Sequence, residues 1–203
     1  RTLQWVTASD SVGKPWVVAN DEQGNASEGV PPDPGYRNFD AGKLDYDLHD
    51  IRKQTLWGNL MAGGAGVEYY FGYQLPENDL FCQDYRSRDQ SWHYGRIAID
   101  FFQDNKLPFQ NMHNTNTLIG NPENNKQKYC FALPGQTYLV YLAYTPKTEL
   151  DLSRTTGTFT LRWFNPRTGE FAGTEKHVQA GSIVTLKAPR DSDQDWLAWL
   201  EKE

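Results

Sequence analysis

The stretch Lys14–Gly24, KPWVVANDEQG, decides how the first half of the chain is read. Its apolar run Trp16-Val17-Val18-Ala19 lies between Pro15 and Gly24 and stops abruptly at Asn20-Asp21-Glu22. A short, β-branched-rich run with turn residues on both sides predicts a strand over 15–20 that is buried on both faces. Two carboxylates at the carboxyl end of such a strand occupy the position where α/β barrels keep their chemistry, although acids that merely open a solvated loop are also common there. Adjacent residues on an extended strand point to opposite faces, so Asp21 and Glu22 are not a catalytic pair with each other.

From this stretch to residue 105 the expected elements alternate. Thr2–Val6 reads as the end of a helix, and Asn25–Tyr36 as a long loop dense in Gly, Pro and Asp. Asp47 or Asp50 caps a helix over 51–61, in which Ile51, Thr55, Leu56, Leu60 and Met61 share a face and Gly63-Gly64 is the stop. Residues 66–72 predict a second strand, 73–88 a polar loop, and 91–105 an amphipathic helix capped by Asp84 or Asp89. This alternation predicts a parallel sheet with helices packed outside it, parallel between 15–20 and 66–71. Two strands do not make such a sheet, so the expectation is an incomplete TIM-type (β/α)8 barrel over residues 1–118.

The composition changes after the Asn-rich connector 106–126. Residues 128–133, 137–144, 150–152, 158–164, 182–186 and 196–200 read as short strands, and Asn165–Gly169 as a hairpin turn. The expectation for 119–203 is an all-β antiparallel sandwich.

Bulk properties narrow the function. The net charge of −6 over 203 residues argues against a nucleic-acid partner. No apolar run is long enough to span a membrane, and no signal peptide is visible. The chain begins at Arg1 without Met, which reads as a mature or fragmentary product. Aromatics make up 14% against 38% hydrophobic residues overall, which favours an aromatic-rich surface or cleft. Cys82 and Cys130 are too few for a disulfide scaffold or zinc site; unlinked thiols are the default, with a single bridge as the alternative in an exported protein. No metal or cofactor is expected.

Several segments resemble known families. LDLS (150–153), GTFTLRWFNPRTGE (157–170), AGSIVTL (180–186) and DWLAWLE (195–201) resemble a small bacterial β-sandwich module called the "putative collagen-binding domain of a collagenase". That module usually follows the barrel of apiosidase-like glycoside hydrolases. KPWVVANDEQG, RKQTLWGNLMAGGAG (52–66) and VEYYFG (67–72) resemble the last two strand–helix units of that barrel. The resemblance implies a secreted, cell-surface or periplasmic carbohydrate-active protein. It implies a nucleophile at Glu22, with Asp21 as rival, and an acid/base upstream of Arg1. The carbohydrate substrate would then be hydrolysed only with a second polypeptide or segment that carries the missing strands, or in an oligomer. The alternative is a non-catalytic protein that binds a glycan or another protein.

The remaining site residues follow from their types. Glu68 sits in an otherwise apolar run, where it is either a third catalytic candidate or the partner of a helix Arg such as Arg52. Among the neighbouring aromatics, Tyr70 and Tyr73 are expected at the cleft, where ring faces stack on sugars. Asn78, Asp79, Asp84, Arg86 and Arg88 either bind hydroxyl or uronate groups or pair with one another, and Asp79 and Arg86 are the choices for substrate. His93 and His113 have no metal or triad spacing and are expected to be structural. Arg162, Trp163 and Arg167 are expected to stabilise the hairpin.

Overall fold

The computed structural model describes residues 1–13, 15–21, 29–189 and 194–203. It divides into two compact units, Arg1–Leu60 with Gly64–Arg96, and Met61–Gly63 with Ile97–Glu203.

In the first unit, helix α1 (Thr2–Ser11) is followed by an extended segment that it anchors. The Ser9 hydroxyl donates to the Trp16 carbonyl at 2.9 Å and accepts from the Trp16 amide at 2.7 Å. A second helix, α2, starts as Leu48–Asp50, widens into a π-helix over Ile51–Trp57 and closes as α-helix over Gly58–Met61. Asp47 caps it, accepting from the His49 and Asp50 amides, while the Asp50 carboxylate returns the bond to the Asp47 amide. The third helix, α3 (Asp89–Asp104), begins beside Asp33, whose carboxylate accepts from the Gln90 amide at 3.0 Å. Burial raises the Asp33 carboxyl above its ordinary range, ahead of the lowering effect of that bond.

The expectation of barrel strand–helix units is overturned here. Residues 15–20 touch 65–68 through three hydrogen bonds: Ala65 amide to Val18 carbonyl at 2.8 Å, Asn20 amide to Gly66 carbonyl at 3.1 Å, and Glu68 amide to Asn20 carbonyl at 2.8 Å. The direction is parallel, but the contact is a single bridge, Asn20 to Val67, and neither segment is a strand. The run expected to be buried on both faces is largely exposed, with Val17 79% and Trp16 48% accessible. Apolar character alone does not bury a run: other elements have to cover both of its faces, and among the described residues they do not. All the regular strand pairing among the described residues is antiparallel and lies beyond residue 112.

That pairing builds the second unit. Eight strands are present among the described residues: β1 (His113–Asn114), β2 (Lys128–Leu133), β3 (Thr137–Leu142), β4 (Lys147–Asp151), β5 (Thr158–Asn165), β6 (Glu170–Gln179), β7 (Ile183–Lys187) and β8 (Trp196–Lys202). Six form one sheet in the order β1-β2-β3-β8-β5-β6, and β4 pairs with β7. Alternation sends Cys130, Val140, Phe159, Leu161, Ala198 and Leu200 of the large sheet into one core with Leu150 of β4 and Leu186 of β7. The opposite face is also covered. Phe101 of α3 packs on Phe164 at 4.4 Å and edge-on to Trp199 at 6.0 Å, and Phe109 packs on Phe131 at 5.3 Å. Cover on both faces explains why every residue of β3 is buried.

The Asn-rich connector satisfies backbone groups that would otherwise be stranded in this core. Asn121, 1% exposed, donates to the carbonyls of Asn125 and Lys128 and accepts from the Asn125 amide. The buried Asn116 amide accepts from the Cys130 backbone N–H at 2.7 Å. Cys130 itself is fully buried and unlinked, and burial pushes its thiol up to about 12; Cys82 is exposed and also free.

Candidate functional site

Of the residues singled out for chemistry, Asp21, Glu68, Tyr70 and Tyr73 lie where 15–21 meets 64–73, and Asp79 and Arg86 lie in the loop that follows. Asn59 on α2 sets this meeting point: its amide donates to the Gly66 carbonyl at 2.8 Å, the same oxygen that receives the Asn20 amide. Gly64 has to lack a side chain, because a Cβ there would lie 2.4 Å from Asn59 Oδ1. The side-chain oxygens of both Asn20 and Asn59 are buried without a partner among the described residues. Asp21 and Glu68 each come one residue after the bridged pair Asn20 and Val67. Both are exposed, so Glu68 is not the charge buried in an apolar strand that its sequence neighbours imply. Arg52, the partner considered for it, turns its guanidinium to His49 at 2.7 Å and over the Tyr94 ring at 4.6 Å. Glu22 lies outside the described residues.

The aromatic run divides by alternation. Tyr69 and Phe71 pack on Trp92 at 5.4 and 5.9 Å, and burial pushes the Tyr69 hydroxyl well above the ordinary phenol range. Tyr70 turns to Tyr73 instead, edge-on at 5.9 Å, and Tyr73 is 54% exposed. These two rings, with Glu68 two positions before Tyr70, form an aromatic and acidic edge open to solvent.

The loop 73–88 is largely self-paired. Asp79 Oδ2 accepts from the amides of Phe71 and Gly72, both at 3.1 Å, which commits this carboxylate to the turn. Arg86 pairs with Asp84 at 2.9 Å. Arg88 is fully buried, and its guanidinium donates to the carbonyls of Val30, Pro76 and Glu77 while stacking on Phe71. Desolvation lowers its pKa, and the ring of carbonyl acceptors offsets that cost.

Glu77 fastens the same loop. Its carboxylate accepts from the Gln83 and Asp84 amides at 2.8 and 3.0 Å and from Arg37 at 2.7 Å. The two amides first, and Arg37 with them, hold it below the usual glutamate range. A depressed folded-state pKa stabilises the loop above the unfolded value of about 4.3, and that contribution is lost as pH falls through the folded value. We therefore expect the Gln83 and Asp84 amide resonances to move together below pH 4.5 in the native protein. In Glu77→Gln they should be pH-insensitive; an unchanged titration in that variant would show that another group is responsible.

Comparison with known proteins adds to this picture. The family model described as "Putative collagen-binding domain of a collagenase" matches residues 115–201. No curated protein matches the chain. Among solved structures, a glycoside hydrolase family 5 protein from Bacteroides vulgatus ATCC 8482 is similar with a TM-score of 0.66 at 17% identity, over 99% of this chain and 45% of that one. A second structure, described as a glycoside hydrolase, has a TM-score of 0.67 at 14% identity, over 100% of this chain and 46% of that one. At these identities the likeness is one of fold. The chain spans less than half the length of either structure. Residues 115–201 match that family model as a β-rich segment, and the apiosidase-type barrel units expected before it are not formed by the described residues of 1–114.

Two features have no local signature in the sequence: the buried Asn116 and Asn121 sit in a connector whose residue types look merely polar, and the cation–carboxylate cluster at Arg162 depends on cross-strand neighbours that no local pattern reveals.

Proposed function

We propose that this chain is the C-terminal portion of a secreted or surface-exposed carbohydrate-active protein that hydrolyses glycosidic bonds by carboxylate catalysis, with residues 115–201 as an accessory module. The observation that carries this reading is the likeness of nearly the whole chain to parts of two glycoside hydrolases. Glycoside hydrolysis needs two carboxyl groups in different roles. Glu22 is the proposed nucleophile, with Asp21, its neighbour in sequence, and Glu68 as the other carboxylate candidates. Tyr70 and Tyr73 offer ring faces to the sugar. The facing acid belongs to a companion segment or chain, which makes up the rest of the length seen in the matched structures.

The family model's description favours a second reading, in which the chain binds a protein or glycan without cleaving it. Intact mass and subunit composition of the native material, followed by hydrolysis assays on it, separate the two. In the native assembly Glu22→Gln is expected to lower hydrolysis by roughly 10³-fold or more while stability stays nearly unchanged. Loss of activity in Asp21→Asn or Glu68→Gln, with Glu22→Gln active, would move the role to those residues. Native material without hydrolytic activity would favour the binding reading.

A further inference from the structure

The hairpin β5–β6 contains an interruption that builds a cleft. Trp163 faces Ala172 and Leu161 faces Lys176, so Gly173, Thr174 and Glu175 together stand opposite the single residue Arg162. Gly173 takes a φ of +75° to make this bulge, and bulges of this kind re-aim side chains. Here the re-aimed group is Glu175, whose carboxylate meets Arg162 Nε, while Arg162 Nη1 reaches Glu201 at 3.2 Å. The guanidinium lies 4.8 Å over the Trp199 ring, which fixes its plane from below. The result is a cleft of about 360 Å³ bordered by Arg162, Glu175, Phe171, Asn105, Trp199 and Gly173. That volume lies within the ~300–1,000 Å³ of ligand clefts. Phe171 leaves 46% of its surface open at the rim, large for an aromatic residue that also packs on Phe164 and Trp199.

We propose that this cleft binds one or two rings of a neutral saccharide, independently of the edge at Glu68 and Tyr70. A rigid donor fork, the Glu175 carboxylate and a side-chain amide beside the open face of Phe171 match a ring with hydroxyls on its rim and C–H groups on its faces. Two carboxylates, Glu175 in the cleft and Glu201 beyond its lining, already share the one cation, which disfavours anions. The inference deepens the proposed function and rests on its carbohydrate part. It places a non-catalytic sugar contact on the accessory unit.

The test is to titrate the full 203-residue chain, isotopically labelled, with cellohexaose, xylohexaose, mannohexaose and a Gly-Pro-Hyp repeat peptide, following amide and indole resonances. At least one hexasaccharide is expected to shift Gly173, Thr174 and the Trp199 indole, with affinity reduced at least tenfold in Phe171→Ala and in Glu175→Gln. The second variant keeps the shape of the cleft, so it remains informative if the first loses stability. No shift with any saccharide, shifts only with the peptide, or unchanged affinity in both variants would overturn the inference. Shifts confined to Tyr70 and Tyr73 would remove the cleft yet leave the proposed function standing. Shifts at the bulge alongside a native assembly that hydrolyses nothing would do the reverse.

Discussion

Gly29→Ala is expected to destabilise the first unit by about 3–5 kcal/mol, a large share of the ~5–15 kcal/mol by which domains are usually stable. Gly29 adopts a φ of +68°, a left-handed conformation that costs alanine roughly 1–2 kcal/mol. Space adds more. A Cβ on this residue would lie 2.4 Å from the Tyr70 carbonyl oxygen and 2.6 Å from the Gly72 amide, and both of these are backbone atoms that cannot rotate away. The contact is tight because the next residue joins the two segments: the Val30 amide donates to the Tyr70 carbonyl at 2.7 Å, and the Val30 carbonyl receives Arg88. Tyr46 donates its hydroxyl to the Gly29 carbonyl from another side. Pushing Gly29 outward therefore strains three attachments together and uncovers Val30, Ile51 and Phe71, the small core of this unit. Gly35→Ala is the control: its φ of +82° carries a similar conformational cost, but nothing lies within 4 Å of its Cβ position. Amide exchange of Val30, Phe71 and Gly72 should accelerate by 10²-fold or more in Gly29→Ala and by about tenfold or less in Gly35→Ala. Equal effects in the two variants would show that the backbone contact contributes nothing.

The two units differ in how much of them the sequence reveals, and the reason is physical. In the second unit, local pattern and final environment agree. Phe159, Leu161 and Trp163 alternate in sequence and all point into one core, and the Asn165–Gly169 turn closes as its residues imply, with the Asn165 side chain accepting from the Arg167 amide. Strand β6 is illegible locally because EFAGTEKHVQ has no continuous apolar face; it is an edge strand, almost wholly exposed, and holds its place by pairing with β5. In the first unit, pattern and environment part company. Trp16 and Val17 look like core and lie at the surface, while Arg88 looks like surface and is fully buried. Buried cations of this kind are unreadable locally, since the acceptors for Arg88 come from residues 30, 76 and 77. The same holds for the candidate site. The division of Tyr69 from Tyr70 follows from alternation, whereas the commitment of Asp79 to the Phe71 and Gly72 amides depends on a turn geometry that the residue types alone leave open.

Arg167→Ala should cost the second unit about 3–5 kcal/mol, the range found when one member of a buried ion pair is removed. Arg167 leaves the hairpin turn to reach Asp195, donating to its backbone carbonyl and, at 3.3 Å, to its carboxylate. Asp195 is wholly inaccessible to solvent, and its other oxygen accepts the Tyr141 hydroxyl at 2.6 Å. The guanidinium also covers the Trp196 ring at 5.0 Å. This cluster joins the β5–β6 turn to the start of β8 and the end of β3, three points far apart in the chain. Truncating the arginine leaves a buried carboxylate without its Arg167 countercharge, and the cost comes mainly from that carboxylate. The prediction therefore extends to the double variant Arg167→Ala with Asp195→Asn, which should recover at least 1 kcal/mol relative to Arg167→Ala alone, because the neutral amide removes the charge that Arg167 faced while the Tyr141 hydroxyl keeps an acceptor. Urea unfolding monitored by exchange of the β3 and β8 amides measures both variants. A double variant that is less stable than Arg167→Ala would mean that the arginine acts through its packing on Trp196 and its bond to the Asp195 carbonyl, with the charge pair contributing little.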